Sequence, residues 1–179
     1  VIIDARHVRF YVTGSENLTQ EYGEMYEDPG VYAVTYGKLF GEGTKRLHVA
    51  VEGSVDTTKL GSCTLKYWTR WMFTDYVTER NVTVIDTTPP VIELKHIEGY
   101  EASWMNGYEE EGYTAFDSCD GDLTSKVVRT EDKDKVTYTV TDSSGNTATA
   151  VREIKYAKTE PRIILNGDEN MVFTARTDF

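Results

Sequence analysis

Internal repetition limits what this chain can fold into more than any single motif does. "DTTPPVIELKHIEGY" (86–100) is echoed by "AKTEPRIILNGDENM" (157–171), which puts Pro161 71 residues after Pro90 and pairs Ile92 with Ile163 and Leu94 with Leu165. The same spacing recurs elsewhere: "CTLKYWTRW" (63–71) lies over "DKVTYTVTD" (134–142), so that Tyr67 meets Tyr138. Upstream, "YEDPGVYA" (26–33) lies over "YEEEGYTA" (108–115), but Gly30 and Gly112 are 82 residues apart. The first copy is therefore longer by about eleven residues, expected within 34–62, where an insertion is tolerated as a surface loop. The chain divides into a module at 1–87, a second at 88–157 and the opening strand of a third at 158–179. That last segment cannot bury a core alone, so the natural protein is expected to continue. "IDTTPP" and "AKTEP" are the joints, and their prolines limit swing without continuing a strand ladder.

Each module reads as β throughout. In "KVTYTVTD", Val136, Tyr138 and Val140 alternate with threonines, the period of a strand with one buried face. "DSSGN" (142–146) is a hairpin loop in which Gly145 takes positive φ and Asp142 and Asn146 bond the backbone. "EDPGV" is a turn with Gly30 in the left-handed position. Six or seven short strands per module, separated by turn signals, describe an all-β chain of tandem β-sandwiches.

Hydrophobic residues make up 39% of the chain, enough for packed cores, yet no run approaches the ~18 apolar residues of a membrane span. The net charge of −11, with no basic patch, excludes nucleic acid as a partner and favours a soluble monomer. Cys63 and Cys119 fall in different modules and form no Cys-x-x-Cys pair, so both are expected as free, partly buried thiols.

"DTTPPVIEL", "EEEGYTAFDSCDGDLTSKV" and "VTYTVTDSSGNTATAVREIKY" together resemble the bacterial immunoglobulin-like repeats of Gram-positive surface proteins. Similar repeats occur in a pesticidal crystal toxin and, more distantly, among hyalin-type repeats. Module one resembles a degenerate copy that has lost "DSSGN" and carries "VTYGKLF" in place of the aspartate loop. The resemblance implies immunoglobulin-like sandwiches in an extracellular, secreted or wall-attached protein. In such a protein the modules space, present or bind for further domains of the same chain, with no activity of their own.

Two candidate sites remain. Asp117, Asp120 and Asp122 in "FDSCDGDLTSKV" are spaced as Asx-turns, the favoured assignment, or as calcium ligands, although D-x-x-D-G-D is not an EF-hand pattern. In "YWTRWMF" (67–73), Leu65, Tyr67, Trp71 and Phe73 share the core face, while Trp68, Arg70 and Met72 point outward. That outer face would suit a sugar ring of a host or cell-wall glycan, but the insertion is expected to cover Trp68. Glu109–Glu111 are expected at a solvated strand end, and His7, His48 and His96 as ordinary strand residues. Trp104 and Met105 are expected to pack at a module end. No motif points to catalysis. The chain is thus expected to be a spacer or interaction stalk, with a carbohydrate-binding accessory module as the alternative.

Overall fold

Alternating burial runs along the long strands of the computed structural model, which describes residues 2–5, 7–36 and 45–158. The first eight strands, in chain order, are β1 (Ile2–Ala5), β2 (Val8–Val12), β3 (Asn17–Glu21), β4 (Val31–Thr35), β5 (Arg46–Leu47), β6 (Ala50–Glu52), β7 (Gly61–Trp71) and β8 (Thr74–Ile85). They form two four-stranded sheets, β1-β2-β4-β5 and β3-β8-β7-β6. Phe10, Val8 and Ala33 of one sheet pack against Trp71 and Tyr76 of the other, and Leu65, Tyr67 and Val82 fill the remainder of the core. The fold is all-β and has the layering of an immunoglobulin-like sandwich.

The next six strands are β9 (Val91–Leu94), β10 (Tyr113–Asp117), β11 (Gly121–Asp122), β12 (Val128–Glu131), β13 (Lys135–Thr141) and β14 (Thr147–Glu153). They pair as β9-β10-β11 and β12-β13-β14. This order repeats β2-β4-β5 and β6-β7-β8 strand for strand. Even the parallel pairing of β3 with β8 has a counterpart in the parallel bridge between Ala102 and Tyr156. No sheet among the described residues joins strands from both sides of residues 86–90. Val136, Tyr138 and Val140 point into the second core, as their alternation requires. The third-module strand expected at 158–179 lies, from residue 159 onward, outside the described residues, as do residues 37–44 of the insertion.

One polar arrangement occurs in both halves. Arg80, fully buried on β8, donates from Nε to Ser15 O (3.1 Å) and from Nη2 to Thr13 O (2.5 Å), and its Nη1 is paired with Asp28. Asp28 also accepts from the Tyr67 hydroxyl (2.6 Å) and from the N–H of Gly30 (2.8 Å), where φ is 92° and a side chain would be strained. In the second half Arg152 lies on β14, and the Tyr138 hydroxyl donates to Glu110 (2.7 Å), which also accepts from the N–H of Gly112 (2.8 Å, φ 104°). Arg152 donates to Gly112 O (2.8 Å). Its Nη1 lies 2.6 Å from Glu111 but without hydrogen-bond geometry, so that contact is Coulombic. Each arginine also lies over its tyrosine ring, at 5.6 and 5.9 Å.

Glu111, with its side chain 5% exposed, therefore departs from the solvated strand end expected of the acidic run, while Glu109 and Glu110 are exposed as expected. Burial opposes the ionised form of Glu111, yet the Ile97 N–H and Arg152 outweigh it and hold its carboxyl below the ordinary value of 4.5. A carboxyl depressed by folding adds stability above its unfolded pKa and loses it as pH falls through the folded one. Unfolding temperature should thus drop as pH is lowered below about 4.5, and Glu111→Gln should flatten that drop when melts at pH 7 and pH 3.5 are compared. Arg80→Ala leaves Asp28 without its cation and the Ser15 and Thr13 carbonyls without their donor, and urea denaturation should register a loss of about 3–5 kcal/mol.

Candidate functional site

The segment "FDSCDGDLTSKV" folds back on itself, with Phe116 and Asp117 of β10 paired to Asp122 and Gly121 of β11. Asp117 is 2% exposed, and its Oδ1 accepts from the N–H groups of Cys119 (2.7 Å) and Asp120 (2.9 Å). Asp120 accepts from the hydroxyl (2.6 Å) and N–H (2.7 Å) of Ser143, which ties this loop to the 142–146 loop. Asp122 accepts from the Thr124 N–H (2.9 Å). Bonds from Ser143 lower the Asp120 pKa, and bonds from Thr124 lower that of Asp122. Asp120 is thus occupied by Ser143 and Asp122 by Thr124, and they do not gather around one point with Asp117, a correction to the sequence-based ligand set. Gly121 closes a tight turn, and each acid serves a different part of it.

Asp117 converges instead with two residues remote in sequence. Carboxylate oxygens of Asp86, Asp117 and Asp142 all lie within 4.8 Å of one another, and all three side chains are buried. Asp86 directly follows β8, and its Oδ1 accepts from the Thr88 N–H (3.2 Å). Asp142 directly follows β13 and accepts from the Asn146 N–H and side-chain amide, each at 2.8 Å. Oδ2 of Asp86 and Oδ2 of Asp117 are buried with no hydrogen-bond partner. The Asn146 amide also donates to Asp86 O (3.2 Å) and reaches Thr88 O (3.5 Å), so the hairpin loop of the second half holds the backbone of the joint. The pKa of the half-buried Cys119 thiol is raised, first by burial and then by the charges of Asp86, Asp120, Asp117 and Asp142. Both cysteines are free.

Trp68 is exposed at 39%, so the cover expected from the insertion does not form among the described residues. The reason lies in the pairing: β6 joins the edge of the same sheet, with Ala50 opposite Trp68, and so borders the tryptophan rather than lying over it. Trp68 lines a shallow hollow of about 250 Å³ with Glu52, Lys66, Arg70, Asp75 and Val77. Arg70 is held by a two-pronged contact to Asp75 at 2.5 and 2.8 Å. Met72 is not on this face. Together with Phe73 it forms the two-residue turn between β7 and β8, with φ of 47° and 67°. Phe73, expected in the core, is fully exposed because the strand ends one residue before the turn begins. Trp71 does pack against the core.

The remaining candidates are structural. Trp104 stacks on Tyr156 with ring centroids 4.7 Å apart, near the end of the second half, while Met105 is exposed. His7 and His48 are exposed, and His96 lies 3.2 Å from Glu111 at the surface. The sequence had not indicated the outward pair of Tyr11 and Tyr32, stacked at 4.8 Å on β2 and β4 with Arg46 over Tyr32. Their cross-strand positions were visible only once the register was known.

Comparison with known proteins adds one family and one fold likeness. None of the curated proteins matches the chain significantly. Among solved structures, the crystal structure of the lipoprotein BT2262 from Bacteroides thetaiotaomicron is similar at 17% identity, covering 82% of this chain and 99% of that one with a TM-score of 0.37, too loose to equate any residues. The family model of the bacterial surface protein Ig-like domain matches residues 10–84. The match falls on the half that the sequence presents as a degenerate copy, and the sandwich formed there by β2–β8 accounts for it. Residues 10–84 are thus similar to the bacterial surface protein Ig-like domain.

Proposed function

We propose that this chain is a non-catalytic spacer of a bacterial surface protein, a monomeric extracellular stalk that holds further domains of the same polypeptide away from the cell. The observation that carries this is the joint. Residues 86–90 connect two independently cored pairs of sheets, and the Asn146 side chain bonds the backbone of Asp86 and Thr88 on the far side of the connection. A joint carrying Pro89 and Pro90 and bonded in this way transmits orientation, where a glycine–serine linker would let it decay. The surface-domain family of residues 10–84 supports the location. No helix among the described residues is long and apolar enough to cross a membrane.

A second function, carbohydrate binding, is favoured by one observation, the exposure of Trp68 beside Arg70. It ranks below the spacer for two reasons. The hollow is smaller than the ~300–1,000 Å³ of ordinary ligand pockets, and Arg70 is already committed to Asp75.

Small-angle X-ray scattering separates an extended pair of sandwiches from a single globule. A compact 179-residue domain has a radius of gyration of about 16 Å, and the stalk should exceed it clearly with a two-lobed distance distribution. A value near 16 Å would sink the spacer. In parallel, tryptophan fluorescence titrated with soluble cell-wall polysaccharide should stay flat. A saturable response abolished by Trp68→Ala would favour the accessory module instead.

A further inference from the structure

We infer that Asp86, Asp117 and Asp142 form a calcium site that clamps the joint to the second sandwich, a site the sequence alone did not assemble. Three carboxylates from three separate elements converge, with oxygens within 4.8 Å and residue exposures of 7%, 2% and 7%. Among the described residues, none of the three has an ion pair to lysine, arginine or histidine. Uncompensated charge at such burial is costly, and proteins answer it with a cation, a proton or a pairing partner. The second, independent observation is that Oδ2 of Asp86 and Oδ2 of Asp117 are buried and bond nothing, although the Oδ1 atoms of both accept backbone N–H groups. In each case one oxygen holds the local turn and the other is left for a ligand.

The donor set is all hard oxygen. That suits calcium, which accepts irregular oxygen coordination, better than zinc, which favours nitrogen and sulfur, or magnesium, which demands near-ideal octahedral geometry. The nearby Cys119 thiol, its pKa raised by burial and by the same carboxylates, makes a poor thiolate donor. The site should occur once per chain. The 82-residue spacing puts Thr35 where Asp117 stands, and the 71-residue spacing puts Trp71 at the place of Asp142. Because Asp86 directly follows β8 while Asp117 ends β10 and Asp142 directly follows β13 of the second sandwich, the ion would hold the joint from both sides. The inference does not rest on the spacer function, since a cation can bind here whatever the chain presents.

The test is calcium titration of the 179-residue chain by isothermal calorimetry, with thermal unfolding in calcium, in magnesium and in EDTA at fixed ionic strength. One ion should bind, and unfolding temperature should rise with calcium but not with equivalent magnesium. Asp86→Asn and Asp117→Asn keep the Oδ1 acceptor but lose the charge, so each should raise Kd by about tenfold or more. In EDTA both variants should unfold at the same temperature as the parent or higher, because repulsion is relieved. This behaviour also shows that they fold. Asp122→Asn should bind as the parent does. Coincident parent curves in calcium and EDTA would overturn the site. Calcium binding that survives Asp117→Asn but is lost in Asp120→Asn and Asp122→Asn would overturn it in favour of the exposed loop.

Discussion

Each sandwich depends on a buried arginine that cannot leave its place. Arg80 on β8 and Arg152 on β14 each take a cationic group into the gap between sheets and meet a carboxylate, a tyrosine ring and at least one backbone carbonyl there. The desolvation of the Arg80 guanidinium is offset by donors directed at fixed acceptors, and that of Arg152 by the nearby Glu111 charge and one carbonyl. The acid-x-Gly turn is one such acceptor set. Asp28 and Glu110 each cap the N–H of a glycine two residues on, at a positive φ no other residue adopts comfortably. An apolar core of valines and tyrosines would tolerate some slip between sheets. The polar clamp specifies one register, because sliding by a residue would leave a buried arginine unpaired.

The two copies differ where function would reside. The β7–β8 hairpin of the first half runs on to Trp71 and turns through Met72 and Phe73, whereas β13 stops at Thr141 and a five-residue loop follows. Stopping the strand early places Asp142 at the top of the second core, next to Asp117 and to the joint. The longer hairpin carries Trp68 and Arg70 outward on an open face. Both copies keep the arginine clamp, and their ends have diverged toward different surroundings: an acidic, buried junction in one and an aromatic, solvent-facing strand in the other.

Much of the architecture was legible in the chain. The 71-residue repeat, the alternation in "KVTYTVTD" and the loop at "DSSGN" specify strands, their faces and their connection, because side-chain period and turn chemistry are local properties. The aspartate segment was legible as an unusual concentration of charge but not as a site. Asp117, Asp120 and Asp122 are neighbours along the chain, and a two-residue β11 directs them to different partners. Within the acid run 109–111, Glu111 was misjudged for a related reason: Arg152, which pairs with it in the interior, lies about forty residues away.

The sequence by itself determined the class of fold and the core-facing residues of regular strands such as Val136, Tyr138 and Val140, since these follow from periodicities and turns read within a dozen residues. Only the tertiary structure decided which acids meet. Asp86, Asp117 and Asp142 belong to three strand ends brought together by sheet pairing and by the hydrogen bonds of Asn146 across the joint. The exposure of Trp68 was decided in the same way. It depends on whether a neighbouring strand lies over a side chain or beside it, and β6 pairs beside it. Such proximity is a property of the register between distant segments, and no local pattern encodes it.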